Sequence, residues 1–178
     1  MADDDLRRIL AEIQRRGGIG PVDLDVAITH ADAYAAALPE GCSTVVDLGS
    51  GGGLPGVVIA VRRPEVELLL VERRATRADL LRYAVRALQL IGRVAVTECD
   101  ARDLQSVLTG PVDAVTARSF APPDVLIPLA ATLLRPGGVL LLSDPPDRAP
   151  RWTPEQLLSW GFSEDGRIEG VRRLRRST

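Results

Sequence analysis

Apolar residues along this chain recur with two different spacings, and the change from one to the other divides it. Between Asp5 and Arg16 the apolar positions are Leu6, Ile9, Leu10 and Ile13, the spacing of an amphipathic helix that Gly17-Gly18 stops. A second helix is predicted over Val22–Leu38, ending at Pro39-Glu40-Gly41. Short apolar runs then begin to alternate with helical segments. Strands are predicted at Thr44–Leu48, Glu67–Val71, Val94–Thr97, Asp113–Thr116 and Val139–Leu142. Helices are predicted between them at Pro55 to about Arg62, Ala75–Leu90 and Asp124–Leu134, the last closed by Arg135-Pro136-Gly137-Gly138. Pro145, Pro146 and Pro150 then rule out regular structure. Thr153-Pro154 reads as a cap and first turn of a short helix to about Trp160, and Phe162–Arg176 as a terminal hairpin.

Strand–helix alternation implies right-handed crossovers and a parallel sheet. The fold expected is therefore α/β: a Rossmann-like, mostly parallel twisted sheet with helices on both faces and a short N-terminal helical extension. The chain is read as one domain over residues 1–178. Its parts are N-terminal helices (1–40), a ligand-binding core (41–144) and a C-terminal helix and hairpin (145–178).

Bulk composition narrows the class. A chain of 178 residues with 46% hydrophobic and 26% charged residues is an ordinary globular domain. Its longest apolar runs are too short to cross a bilayer, and the acidic N-terminus is followed by no apolar stretch, which predicts no secretory signal and a cytoplasmic protein. Cys42 and Cys99 lack CxxC spacing, so neither a metal site nor a disulfide framework is expected, only two buried thiols. The net charge of −2 makes no case for a globally basic nucleic-acid binder. All 22 basic residues are arginine, and two clusters stand out: Arg7-Arg8 with Arg15-Arg16, and Arg172-Arg173 with Arg175-Arg176. Arginine's planar fork suits phosphate and base recognition, but a solvated helix face and a solvated tail are the better account of the two clusters.

Chemistry concentrates in Val45-Val46-Asp47-Leu48-Gly49-Ser50-Gly51-Gly52-Gly53-Leu54-Pro55-Gly56. A strand entering a glycine loop before a helix brings backbone close to a ligand and aims amides at it. Gly51-x-Gly53-x-x-Gly56 matches the dinucleotide fingerprint, but there the first glycine directly follows the strand, whereas Gly49-Ser50 intervene here. An acidic Asp47 at the strand end opposes a pyrophosphate and suits a ligand with a positive centre, such as the sulfonium and amino group of S-adenosylmethionine. Glu72, ending the second strand, can accept both ribose hydroxyls, which either cofactor needs. Cys99-Asp100-Ala101-Arg102 follows the third strand, where a class I methyltransferase places adenine. The cofactor read from these residues is S-adenosyl-L-methionine.

The runs DLGSGGGLPGVVIA, LLLVERRATRADLL, VDAVTARSFAPPDVL and LLRPGGVLLL resemble the small-subunit rRNA guanine-N7 methyltransferases, also called the glucose-inhibited division protein B family. Leu54-Pro55-Gly56 is its specific mark, and Thr116-Ala117-Arg118-Ser119 matches its Ser/Thr-x-Arg-Ala segment; the likeness covers about Thr29 to Leu142. The resemblance implies a class I methyltransferase acting on N7 of a guanine in 16S rRNA of the small ribosomal subunit. It also implies cofactor contacts or site-lining roles for Gly49, Leu54, Ala101, Arg102 and Arg118. With the loop's own signals, the expected cofactor set is Asp47, Gly49, Ser50, Gly51, Leu54, Glu72, Ala101, Arg102 and Arg118. Arg118 is the expected catalytic residue, orienting the guanine or the cofactor carboxylate. Attack by N7 needs no general base, which suits a chain with one histidine.

Three departures from the family stand out. Its Arg-Ala-Glu segment reads Asp100-Ala101-Arg102, its Lys-Gly pair after the fifth strand reads Ser143-Asp144-Pro145-Pro146, and its termini are abbreviated. His30 and Asp32 fall near the family's His/Asp turn, one residue short in spacing. Losing a cation after the fifth strand disfavours a phosphate grip there. A methyltransferase with another acceptor and a non-catalytic cofactor- or RNA-binding relative therefore stand as alternatives, with an NAD-dependent oxidoreductase last.

Overall fold

In the computed structural model, residues 2–143 and 151–178 are described. Asp144, Pro145, Pro146 and Pro150, on which the expected break after the fifth strand rests, lie outside them.

Helix α1 (Ala2–Arg15) begins with Asp3, Asp4 and Asp5, where the helix dipole favours negative charge, and buries Leu6, Ile9, Leu10 and Ile13. Helix α2 (Leu24–Ala37) is capped by Asp23, whose carboxylate accepts from the amides of Asp25 and Val26, so it starts two residues later than the apolar pattern indicates. The strands are β1 (Thr44–Leu48), β2 (Glu67–Val71), β3 (Val94–Thr97), β4 (Val112–Ala117), β5 (Leu134–Ser143), β6 (Phe162–Ile168) and β7 (Val171–Arg176). Helices α3 (Gly56–Arg62), α4 (Ala75–Ala87), α5 (Pro123–Leu133) and α6 (Pro154–Ser159) connect them.

All seven strands form one sheet in the order β3-β2-β1-β4-β5-β7-β6. The first five run parallel, and β7 and β6 add antiparallel at the β5 edge. Alternate strand residues feed two cores. Val45, Leu68, Leu70, Ala114, Val139 and Leu141 pack under α1–α4, while Val46, Leu48, Val115, Leu140, Leu142 and Leu174 pack under α5 and α6. Successive crossovers run outward in opposite directions from the β1–β4 pair, and ligands of open α/β sheets bind at that switch point, beyond the strands' carboxyl ends.

Two expectations need correction. Arg135-Pro136-Gly137-Gly138 does not separate helix from strand. β5 already begins at Leu134, and a shift of pairing between Val112 and Ala114 absorbs the segment, with Gly137 at φ +75. A six-residue 3-10 turn, Ala101–Ser106, lies between β3 and β4 where no element was expected; Asp100 caps it by accepting from the Arg102 amide.

Candidate functional site

The glycine loop leaves β1 and is tied down from within. The Ser50 amide donates to the Val71 carbonyl at 2.9 Å, and the Ser50 hydroxyl donates to the Asp47 carbonyl while accepting from the Val71 amide. The Gly53 amide donates to Ser50, and the Gly51 amide donates to Glu72 Oε2 at 3.1 Å. Gly49, Gly51 and Gly53 all take positive φ, which glycine adopts at little cost. Loop amides that a pyrophosphate would need are therefore spent inside the protein.

Asp47 is fully buried. Register pairs it with Thr116 on β4, whose hydroxyl donates to Oδ1 at 2.6 Å. Oδ2 lies against Gly56 at the start of α3, 2.6 Å from where a Cβ would stand there, and has no hydrogen-bond partner. Burial pushes its pKa up to about 6, a rise that the Thr116 hydroxyl opposes. The carboxylate thus occupies the helix N-terminus that a dinucleotide phosphate would take.

A cleft of ≈ 360 Å³ opens above the carboxyl ends of β1, β2 and β4, within the roughly 300–1,000 Å³ usual for small-molecule sites. Of the expected site residues it is lined by Gly49, Glu72, Ala101 and Arg102. Asp47, Ser50 and Gly51 lie in and beneath the loop, and neither Leu54 nor Arg118 lines this cleft. Glu72 is buried, with Oε1 accepting from the Arg74 amide and Oε2 from Gly51, so it joins the loop to the start of α4. A carboxylate keeps lone pairs for ribose hydroxyls beyond these two bonds. Asp100 is held well below the usual carboxylate range, first by the Arg102 guanidinium and then by the Arg102 amide. The Arg102 side chain is spent on that pair and turns outward, 77% exposed. Cys99 lines the cleft only half-buried, unlike the buried Cys42.

Sequence reasoning missed Phe120, Arg73, Arg74 and Arg77, which also line it. The Phe120 ring lies over Gly49, its Cδ2 2.7 Å from where a Cβ on that glycine would stand. Their signal was available in VERRATR and ARSFA, although a run of arginines does not say which are free. A larger hollow of ≈ 490 Å³ lies at the opposite, amino ends of β1–β3, away from the glycine loop.

Arg118 follows β4 immediately and is half-buried. Among the described residues no carboxylate pairs with it, and Asp113, further back on β4, is taken by Arg135 at 2.6 Å. Nearby, the buried Tyr34 hydroxyl donates to the Ala117 carbonyl at 3.0 Å and accepts from Ser143 at 2.7 Å. His30 stacks edge-on to Tyr34, and its pKa is lowered by burial and then by Arg118. Asp32 pairs with Arg62 on α3. Both sequence clusters of arginine are committed within the fold: Arg7 to Asp25, Arg16 over the Tyr83 ring, and Arg173 and Arg175 to Asp165. Among the described residues no group of acids, histidines and cysteines is arranged to hold a metal, and no helix is long and apolar enough to cross a membrane.

Solved structures share the fold. An O-methyltransferase from Bacillus cereus in complex with SAH superimposes at TM-score 0.71 with 15% identity, covering 98% of this chain and 91% of that one. TomG, an O-methyltransferase from Streptomyces achromogenes in complex with SAM, superimposes at 0.68 with 16% identity, covering 97% and 90%. Sequence relatives are nearer. The ribosomal RNA small subunit methyltransferase G of Acidothermus cellulolyticus is 42% identical over 130 residues, 71% of this chain and 56% of the relative. That of Salinispora tropica is 42% identical over 136 residues, 71% and 55%. The chain thus spans about half the length of the curated relatives it matches. The family described as GidB, rRNA small subunit methyltransferase G, matches residues 29–144, around the glycine loop, the cleft and Arg118, and the chain belongs to that family.

Proposed function

We propose that this chain binds S-adenosyl-L-methionine in the cleft and transfers its methyl group to N7 of a guanine in 16S rRNA, in the cytoplasm. The observation that carries this reading is the inward-turned glycine loop. The Gly51 amide is spent on Glu72, and the Asp47 carboxylate lies against Gly56 at the start of α3, which disfavours a pyrophosphate and leaves an acid-backed hollow for a cationic cofactor. Family membership supports the RNA acceptor. Glu72 would hold the ribose, with Gly49 and Ala101 allowing close approach.

When bound, the cofactor supplies an electrophilic methyl group on a sulfonium. The protein's task is then placement. The exposed lone pair of a guanine N7 would accept such a methyl group without any proton having to move, so the residues' part would be alignment. Arg118, free of any carboxylate among the described residues, orients the guanine or the cofactor carboxylate through its planar donor fork.

Incubation with methyl-tritiated cofactor and small subunits lacking the N7 methyl group tests the reading, with fully methylated subunits alongside. Label entering only the undermethylated 16S rRNA is expected. Absence of label, with cofactor binding demonstrated in the same preparation, overturns the acceptor. One observation favours a second reading, the same cofactor with another acceptor: β5 ends in Ser143 bonded to Tyr34, with no cation at that position.

A further inference from the structure

In a chain whose only basic side chains of high pKa are arginines, what matters is which of them the fold leaves unspent. Most bond to carboxylates or cap backbone carbonyls, as Arg62 does with Asp32, Arg82 with Asp79 and Arg135 with Asp113. Arg73, Arg74 and Arg77 do neither. Their side chains make no hydrogen bond or ion pair among the described residues, yet all three line one wall of the cofactor cleft, Arg73 and Arg74 exposed and Arg77 half-buried. The acids beside them are already committed. Glu72 accepts from two backbone amides, and Asp100 bonds Arg102. Asp100 feels Arg73 as well, so part of this charge is offset, and the rim is left as a net cationic edge.

Across the cleft stands Phe120. The chain has six aromatic residues. Tyr34 and Phe162 are fully buried, Trp152 lies under Arg172, Tyr83 under Arg16, and Trp160 and Phe120 both pack against the second core. Phe120 alone of the six lines the cleft, half-buried at its mouth.

Arginines that track a backbone and an aromatic ring that takes a base face are the two components of single-strand recognition. A paired base offers no face to a ring. We propose that the cleft mouth binds an unpaired RNA strand, with a base stacked on Phe120 and neighbouring phosphates held by Arg73, Arg74 and Arg77. The choice of RNA over DNA rests on the function proposed above; the preference for an unpaired strand does not.

The test is fluorescence anisotropy of the full chain with a short labelled single-stranded RNA and its duplex, across a salt series. Each lost phosphate contact to a single strand removes about 0.7 from the slope of log K against log salt, so R73Q/R74Q/R77Q should lower it by about 2. R86Q, an exposed arginine further along α4, should leave it unchanged. F120A should weaken single-strand binding roughly tenfold without changing the slope, and F120W should restore it. Melting temperature and far-ultraviolet circular dichroism confirm that each variant is folded. An unchanged slope in the triple variant, duplex bound as tightly as single strand, no RNA binding by the unmodified protein, or an acidic peptide displacing RNA at lower concentration than RNA itself overturns the proposal. The assay needs no methyl transfer, so the two readings fail separately. A protein that binds single strands yet labels no rRNA defeats only the acceptor. One that labels rRNA while the triple variant keeps its KM defeats only this interface.

Discussion

Strands β1 and β4 lie side by side and hold a buried or half-buried carboxylate near each end. At the amino end, Asp113 accepts from the amides and hydroxyls of Ser43 and Thr44 and from Arg135. Burial would raise its pKa, but those donors together outweigh it and hold the group well below the usual range. Asp47, three pairs further along the same ladder, has one hydroxyl on Oδ1 and nothing on Oδ2, and its pKa rises to about 6. The same residue type thus fastens the strands at one end and, at the other, occupies a helix N-terminus beneath the cofactor loop. The saturated end belongs to stability and the unsatisfied end to the site, where proteins tolerate polar groups they would elsewhere satisfy.

The contrast breaks most visibly at Asp113. Asp113→Ala leaves several partly buried donors without an acceptor, and a cost of about 2–4 kcal/mol is expected, a drop in Tm of roughly 5–15 °C by calorimetry. Cofactor affinity of the folded fraction should not change. A Tm within a degree or so of the unmodified protein would show that the network is redundant.

Asp47 should behave oppositely with pH. Its folded pKa, about 6, stands above the ordinary 3.8, so the native state holds the proton more tightly than the unfolded chain. That contribution is complete below about pH 4 and is lost as pH rises through 6. Urea unfolding at pH 4.5 and 7.5 should show the protein losing about 2 kcal/mol relative to Asp47→Asn over that interval. A constant difference between the two proteins would place Asp47 among ordinary carboxylates.

The loop above Asp47 sharpens the comparison at smaller cost. Gly49 sits at φ +67 with Phe120 over it. Gly49→Ala adds about 1–2 kcal/mol of backbone strain and displaces the ring. Cofactor affinity by calorimetry is expected to fall about tenfold while Tm falls only a few degrees. Unchanged affinity would remove Gly49 from the cofactor path.

These two ends were unequally legible in the sequence. Short apolar runs and the glycine loop located β1, β2, the cleft and Glu72, because local pattern alone sets them. Asp113 is invisible as a clasp, since its partners Ser43 and Arg135 are distant along the chain and meet only through strand register. For the same reason Arg135-Pro136-Gly137-Gly138 read as a stop signal, whereas pairing with β4 draws it into β5. Arginine density misled in the same way. Arg172 to Arg176 form the densest run, yet Glu164, Asp165 and backbone carbonyls consume them, while the sparser Arg73, Arg74 and Arg77 remain free at the cleft.

Tyr34 gives the smallest effect and the finest distinction between fastening and function. Its hydroxyl pins α2 to the Ala117 carbonyl at the end of β4 and to Ser143 at the end of β5. Burial holds it well above the usual phenol range, so it stays a donor at any working pH. Tyr34→Phe removes both bonds but keeps the ring and its contact with His30, and about 1 kcal/mol is expected, a Tm fall of roughly 2–4 °C. The residue after Ala117 is Arg118, so loosening that carbonyl should also loosen the guanidinium. A severalfold rise in KM for RNA at unchanged cofactor affinity would make Tyr34 a positioning residue for Arg118. The same fall in Tm with unaltered transfer kinetics would leave it a clasp like Asp113, and would show that Arg118 is held by β4 alone.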